Sequence, residues 1–118
     1  MRVHVYQYPK CSTCRKALKW LSEHGVEHAS SDLVAQPIAL AKLRELHKRS
    51  GLPLARFFNT SGESYRNGGF KDKLKKMSEA EALAALAKDG KLVKRPIVDT
   101  GKAVLVGFDE DAYAAEFE

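Results

Sequence analysis

Hydrophobic and polar positions along the chain change period several times, and each change marks an element. Arg2-Val3-His4-Val5-Tyr6-Gln7 alternates and is rich in β-formers, which predicts a strand. Pro9 is poorly tolerated in a continuing central strand, so the strand ends just before it. Ala17, Leu18, Trp20 and Leu21 then recur at helical spacing. They predict a helix from Cys11 or Ser12 to His24, with Gly25 as its natural stop. A short, weakly patterned strand follows near residues 27–32. Strand, helix and strand in this order form a right-handed crossover, so the two strands are expected to be parallel.

The middle of the chain reads as helical. Pro37 suits the start of a helix that carries Leu40, Leu43, Leu46 and His47 and ends at Ser50-Gly51. Pro53 starts a short helix through Leu54, Phe57 and Phe58, and Asn59-Thr60-Ser61-Gly62 is a turn cluster. Glu63–Arg66 suits one helical turn, closed by Asn67-Gly68-Gly69. The charge run Lys71–Lys76, around Leu74, reads as a solvated helix or loop. Ser78-Glu79-Ala80-Glu81 has the capping-box pattern, and Leu83, Leu86 and Ala87 mark a helix ending at Asp89-Gly90. Strand character returns at Ile97-Val98 and at Ala103–Val106. Asp99-Thr100-Gly101-Lys102 between them predicts an antiparallel hairpin. Asp109 can cap a last helix, from Glu110 to about Phe117, with Tyr113 and Phe117 facing inward. The order β-α-β, helices, β-β-α predicts an α/β fold with a thioredoxin-like mixed four-stranded sheet.

Composition narrows the class. A chain of 118 residues with 44% hydrophobic content suits one soluble domain, with a core large enough to need no disulfide staples. No run is long and apolar enough to span a membrane, and no signal-peptide pattern precedes the first strand, so a cytoplasmic location is expected. The formal charge is +5, with Lys and Arg concentrated in residues 10–19, 42–56, 71–76 and 88–95. Aromatic residues do not interleave with these as on a nucleic-acid platform, so a solvated basic face is expected rather than nucleic-acid binding. Such a face favours anionic substrates, glutathione or an oxyanion among them.

Both cysteines, Cys11 and Cys14, lie two residues apart where the first strand hands over to the first helix. The first turn of a helix presents unpaired N–H groups and the positive end of the macrodipole. Lys10, Arg15 and Lys16 add positive charge. A thiolate at Cys11 is favoured there, which makes Cys11 the expected nucleophile and Cys14, one turn further in, the resolving thiol. Two other readings compete. Paired structural cysteines behave as small buried hydrophobes. A zinc site needs about four ligands, of which one Cys-x-x-Cys supplies two, and His4, His24, His28 and His47 show no second paired spacing. The expectation is a reactive thiol pair without a metal.

Residues 6–17, Tyr-Gln-Tyr-Pro-Lys-Cys-Ser-Thr-Cys-Arg-Lys-Ala, with Trp20-Leu21, resemble the opening of the arsenate reductase/Spx family. Leu92-Val93-Lys94-Arg95-Pro96-Ile97-Val98 resembles that family's Arg-Pro motif before the third strand. Val106-Gly107-Phe108-Asp109-Glu110-Asp111 and the segment 57–66 are similar to further family stretches. The resemblance implies a thioredoxin-like core with a central helical insertion at about 37–90. It also implies a reactive Cys11 and a cis bond at Pro96. Arg95 would reach the anion site, where its planar fork stabilises a thiolate or an oxyanion. Lys10, Ser12, Thr13 and Pro96 are the implied substrate-binding residues. Glutathione with glutaredoxin, or thioredoxin, is the implied electron donor, with no bound cofactor. Glutaredoxin-coupled arsenate reductases of this family use three arginines. Here Arg95 matches, Asn59 and Gly107 stand where the others would be, and Gln7 replaces a histidine. In the Spx branch the same Cys-x-x-Cys is a redox switch on a regulator that binds RNA polymerase through its α subunit. Ser61 stands where that branch has a site arginine.

Overall fold

The computed structural model describes residues 3–118; Met1 and Arg2, the latter expected in the first strand, lie outside them. The elements run β1 (Val3–Gln7), α1 (Ser12–Glu23), β2 (His28–Asp32), α2 (Leu40–Ser50), a 3-10 turn (Leu54–Phe57), α3 (Glu63–Asn67), α4 (Phe70–Lys73), α5 (Glu79–Lys88), a second 3-10 turn (Gly90–Leu92), β3 (Ile97–Asp99), β4 (Val104–Val106) and α6 (Glu110–Phe117). The sheet has the strand order β2-β1-β3-β4. β1 and β2 are parallel, with Val5 beside Ser30; β3 runs antiparallel to both β1 and β4. This is the mixed thioredoxin-like sheet that the element order predicts, with the helices of residues 40–92 between β2 and β3.

Strand alternation divides the core between the two faces of the sheet. Val3, Val5 and Val98 pack with Ala17, Trp20 and Leu21 of α1 and Tyr113 of α6. Tyr6 packs with the opposite cluster, where Ile97 and Val104 meet Leu43 and Leu46 of α2, Phe57, and Leu83 and Leu86 of α5. Adjacent residues of one strand thus serve separate cores, as a period of two requires.

Local signals set the boundaries. Gly25 takes φ 69° just past α1, a left-handed conformation open to glycine at little cost. Ser78 and Glu81 form a complete capping box at the start of α5: Ser78 Oγ accepts from the Glu81 amide, and a Glu81 carboxylate oxygen accepts from the Ser78 amide. At Gly90 an added Cβ would collide with the carbonyl of Leu33, so the loop after β2 and the turn after α5 can touch only because this side chain is absent. The expected helix start at Pro37 is corrected to Leu40. Ile38 is buried in the core between the two positions, and Ala39 is still extended (φ −61°, ψ 147°), so burial of Ile38 keeps the chain out of the helix for three residues.

Candidate functional site

The cysteine turn hangs from the carboxyl end of β1, the end of a sheet where α/β folds gather their ligands. The chain leaves β1 at Gln7 and turns tightly, with the Cys11 amide donating to the Tyr8 carbonyl at 3.0 Å. It enters α1 with Cys11 as N-cap in an extended conformation (φ −94°, ψ 118°). No serine or aspartate caps this helix. The Cys11 sulfur takes that part, accepting from the Cys14 amide at 3.3 Å, a long contact proper to sulfur. No acidic residue lies in the first turn to compete for the exposed amides. The sequence places a sulfur where a capping oxygen ordinarily sits.

The two thiols are unlike. Cys11 is half-buried, whereas Cys14 is wholly buried, and both are free. For Cys11, burial opposes the thiolate, but hydrogen bonding from Cys14 and the Arg95 guanidinium outweigh it and hold the thiol below the ordinary range. For Cys14, burial is the main cause that pushes the thiol up to about 12. The Tyr8 amide works against that shift, and Cys11 adds to it. A neutral Cys14 S–H beside an ionisable Cys11 gives the pair one donor and one acceptor.

Arg95 comes to this turn from the far end of the chain. It precedes β3, and since the β1–β3 ladder ends at Tyr6 beside Ile97, Arg95 lies beyond the paired strands. Its Nη1 donates to the Lys91 carbonyl at 3.1 Å, and its guanidinium stands over the Tyr8 ring, 5.2 Å from the centroid. The Arg95-Pro96 bond is cis. Pro96 is buried, and its carbonyl accepts from the Gly107 amide at 2.8 Å. Lys10, Ser12 and Thr13 are exposed around the turn. The fold therefore gathers Cys11, Cys14, Arg95 and Pro96 into one place and leaves the other three at its rim.

Tyr8 is the residue that sequence reading missed. It was legible only as an aromatic before the proline, and its contact with Arg95 spans most of the chain, so no local pattern announces it. At Gly107, φ is +83° and the Lys94 side-chain stem lies against the space a Cβ would fill, at 3.4 Å. In the 59–62 turn, the Ser61 carbonyl accepts from Arg66 Nη1 at 2.8 Å, so a guanidinium does reach that loop, from α3. Among the described residues no group of three or more His, Cys, Asp or Glu side chains is close enough to hold a metal ion. Among the same residues no helix is long and apolar enough to cross a membrane.

A profile of the ArsC family matches residues 6–116, nearly the whole chain. The chain belongs to the ArsC family. Its relatives include the uncharacterized protein YusI of Bacillus subtilis, 50% identical over 113 residues that cover 96% of each chain. Among solved structures, an ArsC family related protein from Bacteroides fragilis superposes with a TM-score of 0.94 at 43% identity, covering 98% of this chain and 97% of that one. At greater distance stands the global transcriptional regulator Spx of Listeria innocua, 25% identical over 92% of this chain and 82% of the regulator. The family carries thiol redox chemistry on an arsenate reductase-like fold, and this chain carries the cysteine pair at the corresponding strand–helix junction.

Proposed function

We propose that this protein is a cytoplasmic thiol–disulfide oxidoreductase in which Cys11 is the attacking thiolate and Cys14 the resolving thiol. The observation that supports it most directly is the Cys11 sulfur serving as the α1 N-cap, with the Cys14 amide bonded to it. In the first step the Cys11 thiolate attacks one sulfur of a substrate disulfide, that S–S bond breaks, and one half leaves as a thiolate. Cys14 then gives up its proton and attacks the Cys11 sulfur. The second half leaves, and a Cys11–Cys14 disulfide remains. Glutathione, alone or through glutaredoxin, or thioredoxin returns two electrons. Arg95 and the free amides of α1 balance the negative charge on Cys11, on the departing thiolate, or on an anionic substrate. Lys10, Ser12 and Thr13 line the approach, and Pro96 closes it from the β3 side.

Arsenate is expected to be a poor substrate. A tetrahedral dianion gains most from several fixed charge-assisted bonds, each contributing about 1.5 to 3 kcal/mol, and Arg95 is the one arginine at a matching family position. NADPH oxidation coupled to glutathione, glutaredoxin or thioredoxin measures this, with little turnover expected on arsenate. Robust turnover that Cys11→Ser abolishes would make arsenate the leading substrate.

The decisive test of the redox reading is a Cys14→Ser variant incubated with oxidised glutathione or with oxidised thioredoxin. A stable mixed disulfide on Cys11, located by mass spectrometry, is expected. No adduct, or an adduct elsewhere, would sink the proposal. The similarity to Spx favours a second reading, a redox-sensing regulator that binds the RNA polymerase α subunit. A stoichiometric complex with that subunit, with no consumption of reductant, would replace the enzyme reading.

A further inference from the structure

Tyr8 touches three of the residues just described by three different groups. Its carbonyl accepts from the Cys11 amide at 3.0 Å. Its backbone also favours the Cys14 thiolate, against the burial that pushes that thiol up. Its ring lies 5.2 Å beneath the Arg95 guanidinium. The first two contacts come from the main chain and any residue could make them; the third needs an aromatic face. Without that face, one hydrogen bond, to the Lys91 carbonyl, would hold the Arg95 head at this end of the sheet, because the residue lies outside the strand ladder. A guanidinium with one anchor swings; with a second, across its plane, it is fixed. None of the six ion pairs among the described residues includes Arg95, so no carboxylate competes for it.

We infer that the Tyr8 ring is a positioning element that holds the Arg95 guanidinium against Cys11, and through Arg95 sets how readily Cys11 ionises. This rests on the oxidoreductase reading for its purpose, but not for its test. Asp89 extends the same chain of contacts: its carboxylate accepts from the Lys91 amide at 3.0 Å and so fixes the turn whose carbonyl anchors Arg95. The Cys11 turn is thus braced from the helical segment by way of Tyr8.

The test is the pH dependence of iodoacetamide alkylation at Cys11, read by tandem mass spectrometry so that Cys11 and Cys14 are scored separately. Tyr8→Leu keeps apolar bulk but removes the aromatic face. It is expected to move the Cys11 alkylation midpoint up and to slow alkylation at pH 7 by about fivefold, the upper range of a partly exposed cation–π contact. Tyr8→Phe keeps the face and is expected to stay within about twofold of the parent protein. Arg95→Ala should match Tyr8→Leu, and the double variant should be no slower than either, because both remove one linked effect. Circular dichroism verifies that each variant is folded. An unchanged midpoint in Tyr8→Leu, a Tyr8→Phe as slow as Tyr8→Leu, or additive losses in the double variant would overturn the inference. If Cys11 of the parent protein titrates like a free thiol, the oxidoreductase reading and this one fall together. If its midpoint is low and shifts in Tyr8→Leu, yet no disulfide is exchanged, the oxidoreductase reading alone falls.

Discussion

Two arginines, Arg49 and Arg95, bring guanidinium groups to opposite ends of β1, and the company they keep differs. At the His4 end, Asp99 of β3 lies opposite His4 and receives Arg49 in a two-pronged pair at 2.9 and 3.0 Å. Lys42 stands 3.6 Å away, and the Gly101 amide donates to the same carboxylate at 2.9 Å. Arg49 bonding is the largest cause that holds the Asp99 carboxyl down to about 2, with burial working against it. At the other end Arg95 favours ionisation of the Cys11 sulfur, which holds one backbone hydrogen bond and is only half-buried. The Asp99 carboxylate is satisfied by donors on every side, and such a group resists change. The Cys11 sulfur is favoured as an anion but only partly enclosed, which leaves room for a second sulfur to approach. Saturation suits a brace between α2 and the sheet; partial saturation suits a nucleophile.

The largest expected effect tests the open end. Cys11→Ser should lower disulfide exchange by at least about a thousandfold, since a hydroxyl has almost no anionic fraction at neutral pH. Its thermal midpoint should move little, because a serine caps a helix at least as well as a sulfur. Loss of folding in this variant would mean that Cys11 braces the structure as Asp99 does, and the contrast would fail.

The second expectation concerns the closed end. Asp99→Asn should cost about 2 to 4 kcal/mol in chemical denaturation, because Arg49 and Lys42 lose their buried partner. Disulfide exchange per folded molecule should be unchanged. The pH dependence has a definite sign. The Asp99 carboxyl is depressed from an unfolded value of about 3.9, so its contribution of about 2 kcal/mol is complete above pH 4. It is lost as pH falls from about 4 toward 2, and Asp99→Asn should lack that segment of the stability curve. An unaltered acid limb in the variant would show that Asp99 is not the titrating brace.

The two ends were not equally legible in the sequence. The cysteine turn was legible because its signals are local: β-formers before Pro9, helical spacing after it, and a Cys-x-x-Cys between. The Ser78–Glu81 box and the stop at Gly25 were legible for the same reason. The Asp99 brace was not. Asp99 read as the first residue of a hairpin turn, yet it is the last residue of β3, and its partner Arg49 is fifty positions away on a helix. Nothing in the spacing of either residue marks the pair. The start of α2 was misplaced likewise, since Pro37 is a local signal and burial of Ile38 is a tertiary one. Cys11, Cys14, Arg95 and Pro96 all came from motifs, but how Arg95 is held at the cysteine turn depends on Tyr8, across the length of the chain.

A third expectation falls between the ends in size. Arg95→Ala should slow exchange at neutral pH by about ten- to a hundredfold, the range of one hydrogen bond to a charged group. Its stability loss should stay below about 1 kcal/mol, because the side chain is half-buried and both its hydrogen bond to the Lys91 carbonyl and its ring contact are screened by solvent. Arg49→Ala should show the reverse pattern, a loss of several kcal/mol with exchange intact. A stability loss in Arg95→Ala as large as that of Arg49→Ala would erase the difference between the two arginines.

The smallest expected effect separates the members of the closed end. Lys42 also points at Asp99, but at 3.6 Å, with more than a third of its side chain exposed and Glu45 at 3.3 Å as a second partner. Exposed lysine pairs contribute little, because solvent screens them and the long side chain loses freedom in making them. Lys42→Ala should therefore cost no more than about 0.5 kcal/mol at 0.1 M salt, and less as salt is raised. Asp99→Asn should cost nearly as much in the Lys42→Ala background as in the parent protein, because Arg49 carries most of the pairing. Denaturation of the two single variants and the double variant, at low and high salt, measures this. Coupling between Lys42 and Asp99 as strong as that between Arg49 and Asp99 would show that the carboxylate is shared equally, and the brace would then be a three-way network rather than one two-pronged pair.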